Sequence, residues 1–173
     1  VFSLLNEAAT RHPNAIALHQ PKGKGAYHTY NWQTFRDISR EIACGLVEFG
    51  LTKGDIVGVG SETRAEFYFA DFGIMGAGGV AAALYTNYPA SQLVDTLRAS
   101  TAKFVFVDTP KSFQALQQAG GTSLGVKWLL LTGTADGAVS LDDLRALGQA
   151  AMKRDPKLFD KLQESITESD YAI

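Results

Sequence analysis

The stretch at residues 64–89, RAEFYFADFGIMGAGGVAAALYTNYP, constrains the fold more than any other part of the chain. It starts as a nearly all-apolar segment of helical length, passes through Gly76, Ala77, Gly78 and Gly79, and runs on into apolar residues 80–84. A glycine loop that cradles phosphate follows a strand and opens a helix, so that helix N-terminal amides face the anion. Here the order is reversed: the glycines close a helix and open a strand. They read as a helix C-cap leading into a buried central strand, where positive φ and close packing favour glycine.

The flanking sequence repeats the alternation of helix and strand. Short apolar strands are expected at residues 56–60, 80–84, 104–107 (FVFV) and 126–131, with helices between them. Leu93, Val94 and Leu97 give the helix after Pro89 an apolar side, and Gly120-Gly121 ends the helix at residues 110–119. Four such strands imply a doubly wound, largely parallel α/β sheet with helices on both faces. A small β-hairpin precedes it, with strands at residues 15–19 and 26–30 around the turn PKGKG at 21–25. Residues 2–11 form an amphipathic helix with Phe2, Leu5 and Ala9 on one face. In the next helix Asn31 is the N-cap, Phe35, Ile38, Ile42, Leu46 and Phe49 recur at helical spacing, and Gly50 ends it. Ser140 and Asp143 read as a capping box for a helix over Leu141, Leu144 and Leu147, followed by a short helix at residues 157–163.

Composition excludes several function classes. Sixteen Lys and Arg against 18 Asp and Glu leave a formal charge of -2 without a basic cluster. Nucleic acid is therefore not an expected partner, because phosphate-backbone binding needs concentrated positive charge. Cys44 is the only cysteine, which rules out an intrachain disulfide or a thiolate zinc site. With small residues around it and no basic neighbour, it reads as inert. His12, His19 and His28 lack metal-ligand spacing, and no metal site is expected. No run reaches the roughly 20 apolar residues of a membrane span. A reducing, cytoplasmic setting is the expectation, with peripheral association at a membrane as a second one. The chain starts at Val1 rather than Met and stops after Ser169-Asp170-Tyr171-Ala172, so both ends look cut.

Three constellations bear on chemistry. Gly58-Val59-Gly60 follows a strand and precedes a helix, but lacks the third glycine and the acidic residue about 20 positions on that a dinucleotide fingerprint carries. Glu62 and Glu66, four apart, are placed at a helix start, where acids are favourable. The Lys-Gly-Lys-Gly turn reads as a solvated hairpin tip. No catalytic residue is assigned. Read from the residues alone, the chain is an α/β lobe without a complete active site. A non-catalytic Rossmann-like binding or scaffold module and a small dinucleotide enzyme using Gly58 and Gly60 are the alternatives.

An ordered set of motifs carries a resemblance. It comprises YNWQTF at residues 30–35, Gly45-Leu46, GLTKGDIV at 50–57, SETRAEF at 61–67, GAGGV at 76–80, Leu84-Tyr85-Thr86 and AKFVFVD at 102–108. Together they resemble the N-terminal part of the AMP-forming acyl-CoA synthetase (adenylate-forming ligase) superfamily. SETRAEF and VSLDDLRALG at 139–148 are most like its long-chain fatty-acid–CoA ligase branch. The resemblance implies that residues 1–173 are a partial N-terminal lobe, and that the phosphate loop and C-terminal domain lie beyond Ile173. It implies a parent enzyme that activates a fatty acid with Mg-ATP to an acyl-adenylate and transfers the acyl group to CoA. ATP, Mg2+ and CoA would be the cofactors of that parent, and the lobe alone would be inactive and bind none. In some relatives the loop matching residues 85–88 and the following helix contact the CoA phosphate. Asn87 holds the loop position here, which makes Asn87, Arg98 and Lys103 the candidates for the CoA-phosphate side.

Overall fold

The computed structural model describes residues 2–173. An N-terminal helix α1 (Phe2–Arg11) leads into a hairpin of β1 (Ile16–Gly23) and β2 (Ala26–Asn31), and then the long helix α2 (Trp32–Glu48). Five strands come next: β3 (Ile56–Gly60), β4 (Val80–Ala83), β5 (Phe104–Val107), β6 (Lys127–Leu130) and β7 (Ala138–Ser140). Helices α3 (Ala65–Gly76), α4 (Ala90–Ser100) and α5 (Pro110–Gln118) link the first four of these strands, and α6 (Leu141–Arg154) and α7 (Leu158–Ser165) come after β7. The strand order is β4-β3-β5-β6-β7 and every ladder is parallel. The hairpin is a separate two-stranded antiparallel sheet.

Alternation along the strands splits the apolar residues between two cores. Val57, Val59, Phe104, Phe106 and Leu129 face one side, where α1, α2, α3, α6 and α7 cover them. Val105, Val107, Trp128 and Leu130 face the other, beneath α4 and α5. This is the expected doubly wound arrangement with helices on both faces.

Two sequence expectations need correction. The sheet has five strands, not four, because the three residues of β7 pair with β6. Also, β1 continues through Pro21, Lys22 and Gly23, so that only Lys24 and Gly25 turn the chain. Both have positive φ, as a tight two-residue hairpin turn requires.

The segment at 64–89 folds as read. Gly79 N–H donates to the Ile74 carbonyl at 2.9 Å, and Gly78 takes φ +79°, closing α3 into β4. A Cβ on Gly79 would lie 3.1 Å from Ile74 Cγ2 and 3.3 Å from the Asp55 carbonyl oxygen, so this turn is packed as well as bent. The other caps also form. Thr34 N–H donates to Asn31 Oδ1 at 2.8 Å, and Asp143 N–H donates to Ser140 Oγ at 3.1 Å.

Helix α2 sits at the centre of the first core, against α6 on one side and α3 on the other. Its backbone meets that of α6 directly: a Cβ on Gly148 would overlap the Glu41 carbonyl oxygen, and one on Gly45 would overlap that of Leu144. Cys44, which the apolar spacing of α2 placed off its stripe, is fully buried in the same core. Burial pushes its thiol up to about 11 against the opposing pull of Arg40, in keeping with an inert residue.

Candidate functional site

In an open parallel sheet, ligands bind beyond the carboxyl ends of the strands, where the winding direction reverses. The chain leaves β3 through α3 on one face to reach β4, then returns through α4 on the other face to β5. The reversal therefore lies between β3 and β5. A cleft of about 340 Å³ opens there between α4 and α5, lined by Gly60, Leu84, Leu93, Val107 and Leu116 below, with Glu62, Thr86, Tyr88, Asp108 and Ser112 above.

Local sequence explains each polar group. Thr86 sits in the turn after β4, and its hydroxyl donates to a Glu62 carboxylate oxygen in the turn after β3, which ties the two loops together. Asp108 ends β5; its N–H donates to the Gly60 carbonyl, and its own carbonyl accepts from the Thr132 hydroxyl at 2.6 Å. Thr109 caps α5 by accepting from Ser112 N–H at 3.2 Å, and Pro110 occupies the first turn, where its missing N–H costs nothing. The N-termini of α4 and α5 both lie at this edge, and their dipoles favour negative charge. Lys111, exposed in the first turn of α5, adds a cation with no ion-pair partner among the described residues. Tyr85 and Tyr88 stand exposed beside it, edge to face at 5.9 Å. The arrangement suits a polar group held at the mouth over an apolar floor; the Glu62 and Asp108 carboxylates at the rim oppose the helix dipoles for a free anion. It brings together no nucleophile and base.

The three residues assigned to a CoA phosphate do not converge. Asn87 is exposed in the loop beside Thr86, at the carboxyl edge of the sheet. Helix α4 then runs back antiparallel to the strands, and its 11 residues carry the chain about 16 Å to the opposite edge. Arg98 and Lys103 lie there, in a second cleft of about 590 Å³ shared with Lys127. Their charges have partners: Arg98 bonds Asp95 at 2.7 Å, and Lys103 bonds Asp55 at 2.6 Å. Asp55 is nearly buried, which alone would raise its carboxyl. The Lys103 ammonium, with the N–H and hydroxyl of Thr52, outweighs burial and holds it below the ordinary carboxylate value.

The remaining motifs resolve into architecture. A Cβ on Gly58 would lie 2.8 Å from Leu97 Cδ2, so this glycine admits α4 against β3. Helix α3 begins at Ala65, and its Ala65 N–H is taken by the Gln20 side chain of the hairpin at 2.7 Å. Glu66 pairs with Arg64 and Glu62 with Thr86, so the two acids do not act as a pair. No group of three or more His, Cys, Asp or Glu able to hold a metal occurs among the described residues, and none of them is assigned to magnesium.

The fold is a doubly wound α/β lobe with a cleft at its reversal point, on the carboxyl edge of the sheet. Residues 5–164 match the profile of the AMP-binding enzyme family, and the chain belongs to that family. An uncharacterised protein of Mycobacterium tuberculosis, Rv1549, is 34% identical over 85 residues, which cover 49% of this chain and 47% of that protein. A long-chain-fatty-acid–CoA ligase of Xenopus laevis is 25% identical over 118 residues, 68% of this chain and 16% of the ligase. Among solved structures, a long-chain-fatty-acid–CoA ligase of Archaeoglobus fulgidus superposes with a TM-score of 0.75 at 16% identity, covering 85% of this chain and 29% of that one. A benzoate CoA ligase of Burkholderia xenovorans superposes with a TM-score of 0.71 at 16% identity, covering 84% and 28%. The chain thus spans about half or less of the length of these relatives. The likeness in fold extends to fatty-acid and aromatic-acid ligases alike and favours no single branch; the family rests on the match over residues 5–164.

Proposed function

We propose that these residues are the partial N-terminal lobe of an AMP-forming acid–CoA ligase whose acid is a long-chain fatty acid. The observation that carries the ligase reading is the family match across residues 5–164. The fatty-acid branch is supported by SETRAEF, by VSLDDLRALG and by the 25% identity to the Xenopus ligase. A carboxylate has a poor leaving group until AMP supplies a better one, and adenylation followed by transfer to CoA meets that need. ATP and Mg2+ would be held by residues outside this lobe, which alone carries out no adenylation.

For this lobe's own part, the CoA phosphate side is proposed at Asn87, in the loop at the carboxyl edge of the sheet, with Lys111 in the first turn of α5 at the same edge. Arg98 and Lys103, the other two candidates, lie at the opposite edge, where they pair with Asp95 and Asp55. An exposed lysine–phosphate pair contributes up to about 1 kcal/mol, so Lys111→Ala should raise KM for CoA by roughly two- to fivefold and leave adenylation unchanged. The test is AMP and pyrophosphate release by the full-length ligase with palmitate or benzoate, with and without CoA. Palmitate-dependent release supports the proposal. Preference for benzoate overturns the branch, and no acid-dependent release overturns the ligase reading.

A further inference from the structure

Strand β4 is an edge of the sheet, and edge strands leave a row of backbone groups without a ladder. On its outer side the Ala81 N–H is nonetheless taken: it donates to the carbonyl of Ala172 at 2.9 Å. The segment after α7 has therefore come to lie along β4. Ile166 packs near Gly78 just before β4 begins, and Ala172 lies opposite Ala81. Both chains advance in the same sense, so the segment runs parallel to β4, from the amino edge of the sheet towards its carboxyl edge.

One bond to an edge strand does not hold a largely exposed segment, because ordering each backbone residue costs about 1–2 kcal/mol. The contacts that offset this cost centre on Lys53. This residue lies in the turn before β3, its stem across Gly78, where a Cβ would sit 3.3 Å from Lys53 Cγ. Its ammonium donates to the Ser165 carbonyl at 2.6 Å, at the end of α7, and meets Asp170 Oδ2 at 2.7 Å. The same Asp170 oxygen accepts from the Thr167 N–H at 2.7 Å and from the Thr167 hydroxyl at 3.0 Å, which closes residues 167–170 into a turn. Gln163 Nε2, bonded to the Gly76 carbonyl at 2.7 Å, fixes α7 independently.

We propose that Lys53 is a latch: by gripping both ends of the 165–170 turn it sets residues 171–173 along β4 as a sixth lane of the sheet. The latch is a property of this chain and does not depend on the ligase reading. If that reading holds, the lane leads the chain towards the edge where the cleft opens, and Lys53 acts as a positioning residue for that approach.

Hydrogen–deuterium exchange of the 173-residue protein tests the latch at single-amide resolution. In Lys53→Met the Ala81 amide should exchange about two- to fivefold faster, the range a partly exposed ion pair supports. The amides of Phe104 and Phe106 in the central strand β5 should keep their rates. Asp170→Asn should reproduce the effect, and Lys53→Arg should retain most of the protection. Unchanged Ala81 exchange in both Lys53→Met and Asp170→Asn would overturn the proposal. So would equal acceleration throughout β5, which marks general destabilisation rather than release of the segment.

Discussion

Gly148→Ala should destabilise the protein, although alanine is the better helix former. In the interior of α6 the replacement gains about 1 kcal/mol of helix propensity. Against this stands the crossing with α2. The new Cβ would overlap the Glu41 carbonyl oxygen and lie 2.8 Å from both the Glu41 carbonyl carbon and the Gly45 nitrogen. All three are backbone atoms in the middle of a helix, so no side-chain rotation relieves the clash and the helices must part. Overpacking costs about 1–3 kcal/mol in well-packed cores, and contact with rigid backbone places this site at the upper end. The net loss is then about 2 kcal/mol. For a domain of this size each kcal/mol shifts Tm by about 2–4 °C, so Tm should fall by roughly 4–8 °C. Urea denaturation followed by circular dichroism measures the change, with Ala150→Gly, exposed in the same helix, as a propensity control that should cost about 1 kcal/mol. A Gly148→Ala protein as stable as the parent, or more so, would refute the backbone-contact geometry of α2 and α6.

Two further outcomes rest on buried groups. The folded Asp55 carboxyl is held below its unfolded value, so its contribution is complete above about pH 4 and is lost as pH falls through the folded value. The stability gap between the parent and Asp55→Asn, measured by urea denaturation at pH 7, 4 and 3, should therefore narrow on acidification; a constant gap would contradict the assignment. Cys44, buried with its thiol raised to about 11, should react with a thiol reagent at pH 8 at least about a thousandfold more slowly in the native protein than in denaturant. Labelling within seconds under native conditions would show that the core around α2 opens far more readily than its packing implies.

Much of the fold was legible in the sequence because the strands that matter are short, wholly apolar and separated by capped helices. Asn31, Gly50, Ser140 and the turn at Gly78-Gly79 all act where local chemistry placed them. Strand β7 escaped because three residues are too few to show alternation, and because Ser140 ends the strand while capping α6. Pro21 and the glycines of PKGKG suggested a wide turn, yet an edge hairpin tolerates them within its strands. The candidate site was less legible. Asn87, Arg98 and Lys103 are close in sequence, but a helix joining two parallel strands must run back along the sheet, which sends Asn87 and Arg98 to opposite edges. That separation was implicit in the parallel topology itself. The link between Glu62 and Thr86 depends on β3 and β4 lying side by side, and the role of Gln20 at the start of α3 depends on where the hairpin docks. No local pattern announces either.

The central position of α2 also bears on how the chain is made. Its apolar sides are synthesised early, but α6, which closes the face holding Gly45, emerges about a hundred residues later. At about 5–20 residues per second, a nascent α2 waits roughly 5–20 seconds for that partner. During the wait the side of α2 around Glu41 and Gly45, which α6 later covers, is open to any other apolar surface. The growing chain passes through an interval in which α1, the hairpin and α3 can gather on α2 while its remaining side stays uncovered, and that interval, rather than the stability of the finished sheet, is where a molecular chaperone would have the most to hold.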